Sequence, residues 1–304
     1  MISWAISRYS DRSLSIIIFL AAAVWGLYWV PIRGLEQLGV MGPWSIAYFN
    51  ACPLLVLVPA LFIWRRSLHV NFKPAVFAGV ILGIGLELYA TGLVVTSVVR
   101  ATLLFYLTPI WSTIIGMIWL SERVTALRIL AILCGLLGCF LLLRTDQGFN
   151  GSINIGDLCS LMSGVFWAVG AASLKRWPGS PTLTITSVQL MVTTLVGLGL
   201  GLALFEYPTP DLDSLKAGFA LAFFTSVFVL LPSVLLIFII SQILFPGRVG
   251  ILMMSEVLVA IISASILLPD EQMAPLQWLG AAAIILSAFA EVSFSAESGT
   301  DPAA

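Results

Sequence analysis

The sequence predicts an all-α integral membrane protein with ten transmembrane helices arranged as two inverted five-helix repeats. Three observations support this fold class. Hydrophobic residues occupy 60% of the 304 positions and charged residues only 10%, whereas soluble domains carry roughly 25% charged residues. Long apolar runs recur along the whole chain, and its two halves share a pattern of aromatic and charged residues. The lipid bilayer must therefore solvate most of the outer surface.

A transmembrane helix needs about 20 mainly apolar residues, and charges and turn residues divide the chain into ten runs of about this length. We call these runs spans 1 to 10; they cover 13–32, 42–64, 74–96, 100–120, 126–143, 155–174, 184–205, 217–241, 248–268 and 275–294. Span 1 is interpreted as a retained helix, because no small-residue cleavage site follows it. The connections leave no room for a soluble domain, and we expect a disordered tail after Phe294.

The distribution of basic residues predicts the orientation in the membrane, because lysine and arginine accumulate in cytoplasmic loops. If the amino terminus is cytoplasmic, ten of the 14 basic residues lie on that side and four on the other. The inner set is Arg8, Arg12, Arg65, Arg66, Lys73, Arg123, Arg128, Lys175, Arg176 and Arg248, and the outer set is Arg33, Arg100, Arg144 and Lys216. We predict that both termini are cytoplasmic and that the membrane is a bacterial inner membrane.

The two halves of the chain repeat one another. Trp25 and Arg33 are eight residues apart at the end of span 1, and Trp167 and Lys175 have the same spacing at the end of span 6. Two further pairs follow in the same order, Arg100 with Arg248 and Glu122 with Glu271. Because five spans is an odd number, the second half must be inverted in the membrane. The predicted repeats are residues 1–146 and 147–304.

Two acids and several aromatic residues inside the spans are candidates for an internal cavity. A charged group at the bilayer centre costs about 2.5–3.5 kcal/mol on insertion scales, so such groups usually face a cavity or a partner. The alternatives are an acid bonded to the helix backbone or to a neighbouring serine, and aromatic rings in an interfacial belt. The candidate residues are Trp25, Tyr28, Glu87, Tyr89, Tyr106, Trp167, Ser255 and Glu256.

Three prolines within the spans are expected to interrupt helices, because each frees a backbone carbonyl and permits a kink. They are Pro53, Pro109 and Pro232. Broken helices serve as walls and hinges of binding sites in carriers, although membrane helices also tolerate such irregularity without a functional reason. We predict that these prolines mark helix breaks, with Pro109 as the first candidate for a hinge.

One stretch of the sequence resembles a known family. It is Thr96-Ser-Val-Val-Arg100-Ala-Thr-Leu-Leu-Phe-Tyr-Leu-Thr-Pro109-Ile-Trp-Ser, followed by Leu120-Ser-Glu122-Arg. It is similar to the fourth-helix signature of the drug/metabolite transporter superfamily, EamA type, whose members have ten helices in two repeats. Within that superfamily the chain most resembles the YddG-type exporters of aromatic and other neutral amino acids. The resemblance implies transport, with the candidate cavity residues binding the substrate.

The predicted function is a secondary carrier that exports small neutral or aromatic amino acids by alternating access. The main alternative is an exporter of cationic drugs, quaternary amines or other metabolites. A membrane-embedded lipid-modifying enzyme ranks lower, because it needs a base or metal cluster at the membrane edge and His69 is the single histidine. We expect no cofactor and no metal, and no ATP drive, since no nucleotide-binding motif is present. The expected partners are a small-molecule substrate and the bilayer, with no nucleic acid, and the expected state is a monomer.

Overall fold

The computed structural model describes residues 9–64, 70–96, 98–142, 153–204, 207–267 and 274–294. Within these ranges all regular secondary structure is helical. In the described part of the chain, nine helical segments are long and apolar enough to cross a membrane, and a shorter apolar helix occupies the place of predicted span 5. This part is therefore all-helical, as expected of a multi-span membrane protein, and each predicted run corresponds to a helical segment.

The observed bounds differ from the predicted ones by a few residues at most ends. In chain order the segments are Asp11–Gln37, Pro43–Ile63, Phe72–Val95, the pair Val98–Phe105 and Thr108–Leu120, Ala126–Leu142, Ile155–Arg176, Thr182–Leu204, Leu212–Ser241, Pro246–Leu267 and Pro275–Phe294. They keep the names span 1 to span 10.

Some expectations fall on residues outside the described ranges. These are the boundary between the two predicted repeats, the tail after residue 294, Glu271, His69, and the basic residues Arg8, Arg65, Arg66 and Arg144. The side chain of Arg100 also lies outside the description.

Span 1 is longer than predicted and is interrupted in the middle. Its helix continues to Gln37, so Arg33 lies within the helical segment and not after it. Two helices, Asp11–Trp25 and Trp29–Gln37, flank a turn that begins at Gly26. A Cβ atom built on Gly26 would lie 2.5 Å from the backbone oxygen of Glu256. The turn therefore brings the backbone of span 1 against the backbone of span 9.

Four other spans are also interrupted. Span 4 has a turn at Tyr106 and Leu107, and span 9 has a one-residue turn at Met254. Span 2 is interrupted at Cys52 and Pro53, and span 8 contains a π-helical turn over Ser226–Leu230. Such π turns are frequent at functional sites. Three of the interrupted helices, spans 1, 4 and 9, meet around Glu256.

The spans of the two sequence halves interleave. Span 3 makes its most extensive contacts with spans 6 and 7, span 5 with span 10, and span 4 with spans 6 and 9. Glycines permit the closest of these approaches: Cβ atoms built on Gly79 and Gly83 would lie 2.8 Å from the carbonyl oxygens of Ile185 and Gln189. Spans 3 and 7 are thus in backbone-to-backbone contact along what we call the 3–7 seam.

Candidate functional site

A cavity lies in the middle of the bundle, where spans 1, 4 and 9 are interrupted. Side chains from spans 1 to 4 and 6 to 9 line it: Trp25, Tyr28, Ile46, Leu86, Tyr89, Ala90, Leu93, Phe105, Trp167, Gln189, Val234, Ile237, Phe238, Met253 and Glu256. The space open to water is about 90 Å³. One water needs about 10–15 Å³ on this measure, so a ligand of a few heavy atoms fits without movement, and a larger one requires the walls to move.

Trp25 contributes a hydrogen-bond donor with no partner. It is the last residue of the first helix of span 1, immediately before the turn at Gly26. Its indole Nε1 is buried and makes no hydrogen bond, while its ring stacks on Tyr28 at a centroid distance of 5.7 Å. Buried polar groups normally have partners. The Trp25 N–H lacks an acceptor in this conformation, in a residue that lines the cavity.

Gln189 contributes an acceptor with no partner. It lies on span 7, its residue is 2% exposed, and its amide Oε1 is buried without a hydrogen bond. This residue was missed in the sequence, although a single amide within an otherwise apolar part of a span is itself a signal. Two residues that line the cavity, Trp25 and Gln189, thus carry an unpartnered donor and an unpartnered acceptor, both covered by neighbouring protein atoms.

Glu256 gives the cavity its acid. It stands in the first turn of the helix Ser255–Leu267, where the helix dipole favours a negative charge. The turn at Met254 allows the helix to restart here, so the interruption of span 9 and the position of the carboxyl are linked. Among the described side chains that line the cavity, there is no Lys or Arg. A cationic group of a ligand is therefore the charge that this cavity favours.

The remaining walls are aromatic and apolar. Phe105 contacts the rings of Tyr89 at a centroid distance of 4.5 Å and Trp167 at 6.5 Å, and Trp167 contacts Phe238 at 6.4 Å. The hydroxyl of Tyr89 shares a hydrogen bond of 3.3 Å with Thr102. Ring faces of this kind bind apolar and aromatic groups, and attract cations through their π-electrons.

Five of the eight candidate residues line the cavity and three do not. Trp25, Tyr28, Tyr89, Trp167 and Glu256 line it. Glu87 faces span 7, because a Cβ atom on Gly197 would lie 3.0 Å from its Oε2. The hydroxyl of Tyr106 is buried beside the Glu256 carboxyl without a well-formed hydrogen bond. Ser255 donates to the backbone oxygen of Phe19 over 2.7 Å and so ties span 9 to span 1.

The three candidate prolines all adjoin helix interruptions. Pro53 ends the turn in span 2, Pro109 is the second residue of Thr108–Leu120, and Pro232 follows the π-helical turn of span 8. Near a helix start, a proline loses no helix hydrogen bond. Pro109 also lies against span 9, since a Cβ atom on Gly250 would be 3.1 Å from its Cα.

A buried group of charged residues joins the spans at one end of the bundle; we call it the ion network. Arg128 pairs with Glu122 and with Glu291, the latter at 3.1 Å. Arg248 donates from Nε to the Ser15 hydroxyl over 2.9 Å and lies 4.0 Å from Glu291. Its Nη1 is 3.9 Å from Oδ2 of Asp11. The ion network thus connects spans 1, 5, 9 and 10 with the loop between spans 4 and 5.

Comparison with known proteins identifies the family. The family model described as the EamA-like transporter family matches residues 13–144 and again residues 154–291. The chain is 24% identical over 153 residues to a Bacillus subtilis (strain 168) protein named uncharacterized transporter YoaV. That match spans 48% of this chain and about half, 51%, of the relative. A solved structure, titled only as the crystal structure of a protein, has a TM-score of 0.73 and 17% identity.

That superposition covers 92% of this chain and 96% of the other, so the two chains share a fold. The two matches to the family model together cover most of the chain. The chain belongs to the EamA-like transporter family of the drug/metabolite transporter superfamily.

Proposed function

We propose that the protein is a secondary carrier that exports small neutral or aromatic amino acids through the central cavity by alternating access. In this proposal Trp25 and Gln189 bind the amino acid by hydrogen bonds, Glu256 attracts its ammonium group, and Tyr28, Tyr89 and Trp167 contact its side chain. Pro109 is a hinge of the motion.

One observation carries the choice of substrate: the cavity holds both an unpartnered donor and an unpartnered acceptor. An amino acid supplies the two complementary groups, since its carboxylate accepts a hydrogen bond from Trp25 and its ammonium group donates one to Gln189. The ammonium group also meets the negative charge of Glu256. A net hydrogen bond is worth about 0.5–1.5 kcal/mol, and more when one partner is charged.

The alternative substrate class, quaternary amines and other cationic drugs, is favoured by Glu256 and the aromatic walls alone, through charge attraction and cation–π contacts. A quaternary ammonium group has no N–H and no acceptor, so it leaves Trp25 and Gln189 unpartnered in the loaded cavity. Because both groups are already unpartnered in the empty cavity, an amino acid gains about 0.5–1.5 kcal/mol from each hydrogen bond that it forms with them, and a quaternary amine gains none. For this reason amino acids rank first.

The test is counterflow in proteoliposomes with a panel of neutral, aromatic, acidic and basic amino acids and a quaternary amine. The variant Trp25→Phe keeps an aromatic ring and removes the donor. We expect it to weaken the apparent affinity for the preferred amino acid about two- to tenfold. Trp29→Phe is the matched control, because the Trp29 indole already donates to Ser263 over 3.1 Å.

Equal effects of the two tryptophan variants on transport would contradict the assignment of Trp25. Exchange of quaternary amines, without exchange of any amino acid, would replace the proposed substrate by the alternative. If no member of the panel exchanges, the substrate proposal fails, and the membership in the transporter family is unaffected.

The proposal includes the inverted arrangement of the two repeats and a bacterial inner membrane with both termini in the cytoplasm. A reporter enzyme that is active only in the periplasm, fused after the last residue, should then be inactive. Strong reporter activity would contradict this orientation.

A further inference from the structure

Glu87 lies on span 3 but outside the central cavity. Its neighbours Leu86, Tyr89 and Ala90 line the cavity, whereas Glu87 is directed to the 3–7 seam. Cβ atoms placed on Gly197 would lie 3.0 and 3.2 Å from its two carboxyl oxygens, so the carboxyl rests against the span 7 backbone. The residue is 4% exposed, and its Oε2 makes no hydrogen bond.

Two other buried oxygens near Glu87 also have no partner. Thr91 is one helical turn further along span 3, on the same face as Glu87, and Thr194 is one turn before Gly197 on span 7. Both residues are 8% exposed and both hydroxyls lack a hydrogen bond. Buried polar groups without partners are few in native proteins and call for an explanation. Three of them lie along this part of the seam.

No cation among the described side chains balances Glu87. Span 7 contains no ionisable residue at all between Thr182 and Leu204. The ionisable residues on span 3 and on the other helices packed against it are Lys73, Tyr89, Tyr48, Cys52, Tyr106, Asp157, Cys159, Lys175 and Arg176, together with Arg100, whose side chain is not described. Tyr28 of span 1 lies close enough to Glu87 to interact with it electrostatically.

We propose that Glu87 is a proton-binding site, separate from the substrate cavity, through which transport is coupled to a proton gradient. A carboxylate without a countercharge is costly at this depth, and one proton on Oε2 removes the charge. The acid O–H can then donate to a threonine hydroxyl of the seam. On release, the proton passes to a water molecule that reaches the seam, and the electron pair of the O–H bond stays on the carboxylate.

Tyr28 connects this site to the cavity. Its ring stacks on Trp25 and forms part of the cavity wall, and its hydroxyl accepts a hydrogen bond from the Asn50 amide over 3.4 Å. In this proposal, a substrate that moves the Tyr28 ring changes the electrostatic surroundings of Glu87, and this change links proton release to substrate binding.

The experiment compares two kinds of transport in proteoliposomes that contain the full chain, and it rests on the proposed carrier function. Counterflow at equal pH on both sides measures exchange of the preferred panel substrate without a driving force. Accumulation under an imposed pH gradient measures coupling, with an upper limit of about tenfold per pH unit for one proton per substrate. The variant is Glu87→Gln, which keeps the shape and removes the titration.

We expect Glu87→Gln to retain counterflow within about twofold of wild type and to lose accumulation driven by the pH gradient. Retained accumulation in the variant would overturn the proposal. So would wild-type counterflow without any response to pH, or a response to a Na⁺ gradient at constant pH. Absence of counterflow with every panel substrate in wild type would instead contradict the proposed function.

A second variant covers the case in which Glu87→Gln does not fold. Gly197→Ala keeps the acid and places a methyl group 3.0–3.2 Å from its oxygens, so the carboxyl must shift. We expect the pH at which accumulation is half-maximal to move relative to wild type, because the surroundings of the titrating group change. An unchanged pH profile in this variant would overturn the proposal.

Discussion

The ion network at one end of the bundle yields a quantitative prediction for Glu291→Gln. The Glu291 side chain is 1% exposed and lies between Arg128, at 3.1 Å, and Arg248, at 4.0 Å. Removing one partner of a buried ion pair costs about 3–5 kcal/mol, because the other charge stays buried. Arg128 keeps its pair with Glu122, so we expect the low end, about 3 kcal/mol. At roughly 2–4 °C per kcal/mol, the melting temperature falls by about 6–12 °C.

The protein carries its own reporter for this measurement. Cys52 and Cys139 are 3% and 1% exposed, so a thiol-reactive dye becomes fluorescent when heating in detergent exposes them. The control is Asp213→Asn, which removes an exposed pair with Lys216 at 3.4 Å, in which the side chains are 93% and 65% exposed. Exposed pairs contribute about 0–1 kcal/mol. If both variants shift the melting temperature by the same amount, the assigned role of burial is wrong.

Three further outcomes are expected. Gly26→Ala should lower stability by about 1–3 kcal/mol in the dye assay, because its Cβ would meet backbone atoms of span 9 at 2.5 and 2.7 Å; Gly199→Ala, with open space around it, should not. Gln189→Leu should weaken amino acid binding several-fold in equilibrium binding while leaving stability equal or higher, since it removes an unpartnered polar group; a loss of stability would make Gln189 structural. Asp211 accepts from the Ser214 N–H over 2.7 Å, which holds the pKa of its carboxyl below the usual value. The cap therefore stabilises the helix start at any pH above the usual pKa of an aspartate, and this stabilisation is lost as the pH falls through the lowered pKa of Asp211. We expect Asp211→Ala to speed hydrogen exchange in the first turn of span 8 at neutral pH and to make no difference in strong acid.

The ten helical segments could be predicted from the sequence because a helix that crosses the membrane needs about 20 mainly apolar residues, and such runs are visible in the sequence. The interruption of span 1 could not be predicted in this way. The turn that begins at Gly26 contains no proline, and it depends on a close approach to span 9, more than 200 residues away in the chain. The π-helical turn over Ser226–Leu230 is likewise a matter of packing, although Pro232 signalled an irregularity nearby.

The candidate site was predictable in part for the same reason. A polar or charged residue inside a span indicates that its burial must be compensated by a cavity or a partner. The sequence does not show on which face of the helix this cavity or partner lies. Glu87 and Glu256 are both acids within spans, yet one faces the 3–7 seam and the other the cavity. The ion network pairs Arg128 with Glu291 across 163 positions of sequence. Such pairs are set by the tertiary fold and leave no local pattern.

The glycine contacts of the 3–7 seam restrict how the cavity can open. Where two backbones touch at Gly79 and Gly83, the helices cannot slide without driving Val188 and Val192 into the opposite backbone, since these side chains already lie against the glycines. Span 3 belongs to the first half of the sequence and span 7 to the second. In the proposed carrier, we therefore expect the rigid body that stays still to be assembled from both halves. We predict that the cavity changes its opening by tilting of the interrupted spans around the 3–7 seam, without movement of the sequence halves as two separate blocks.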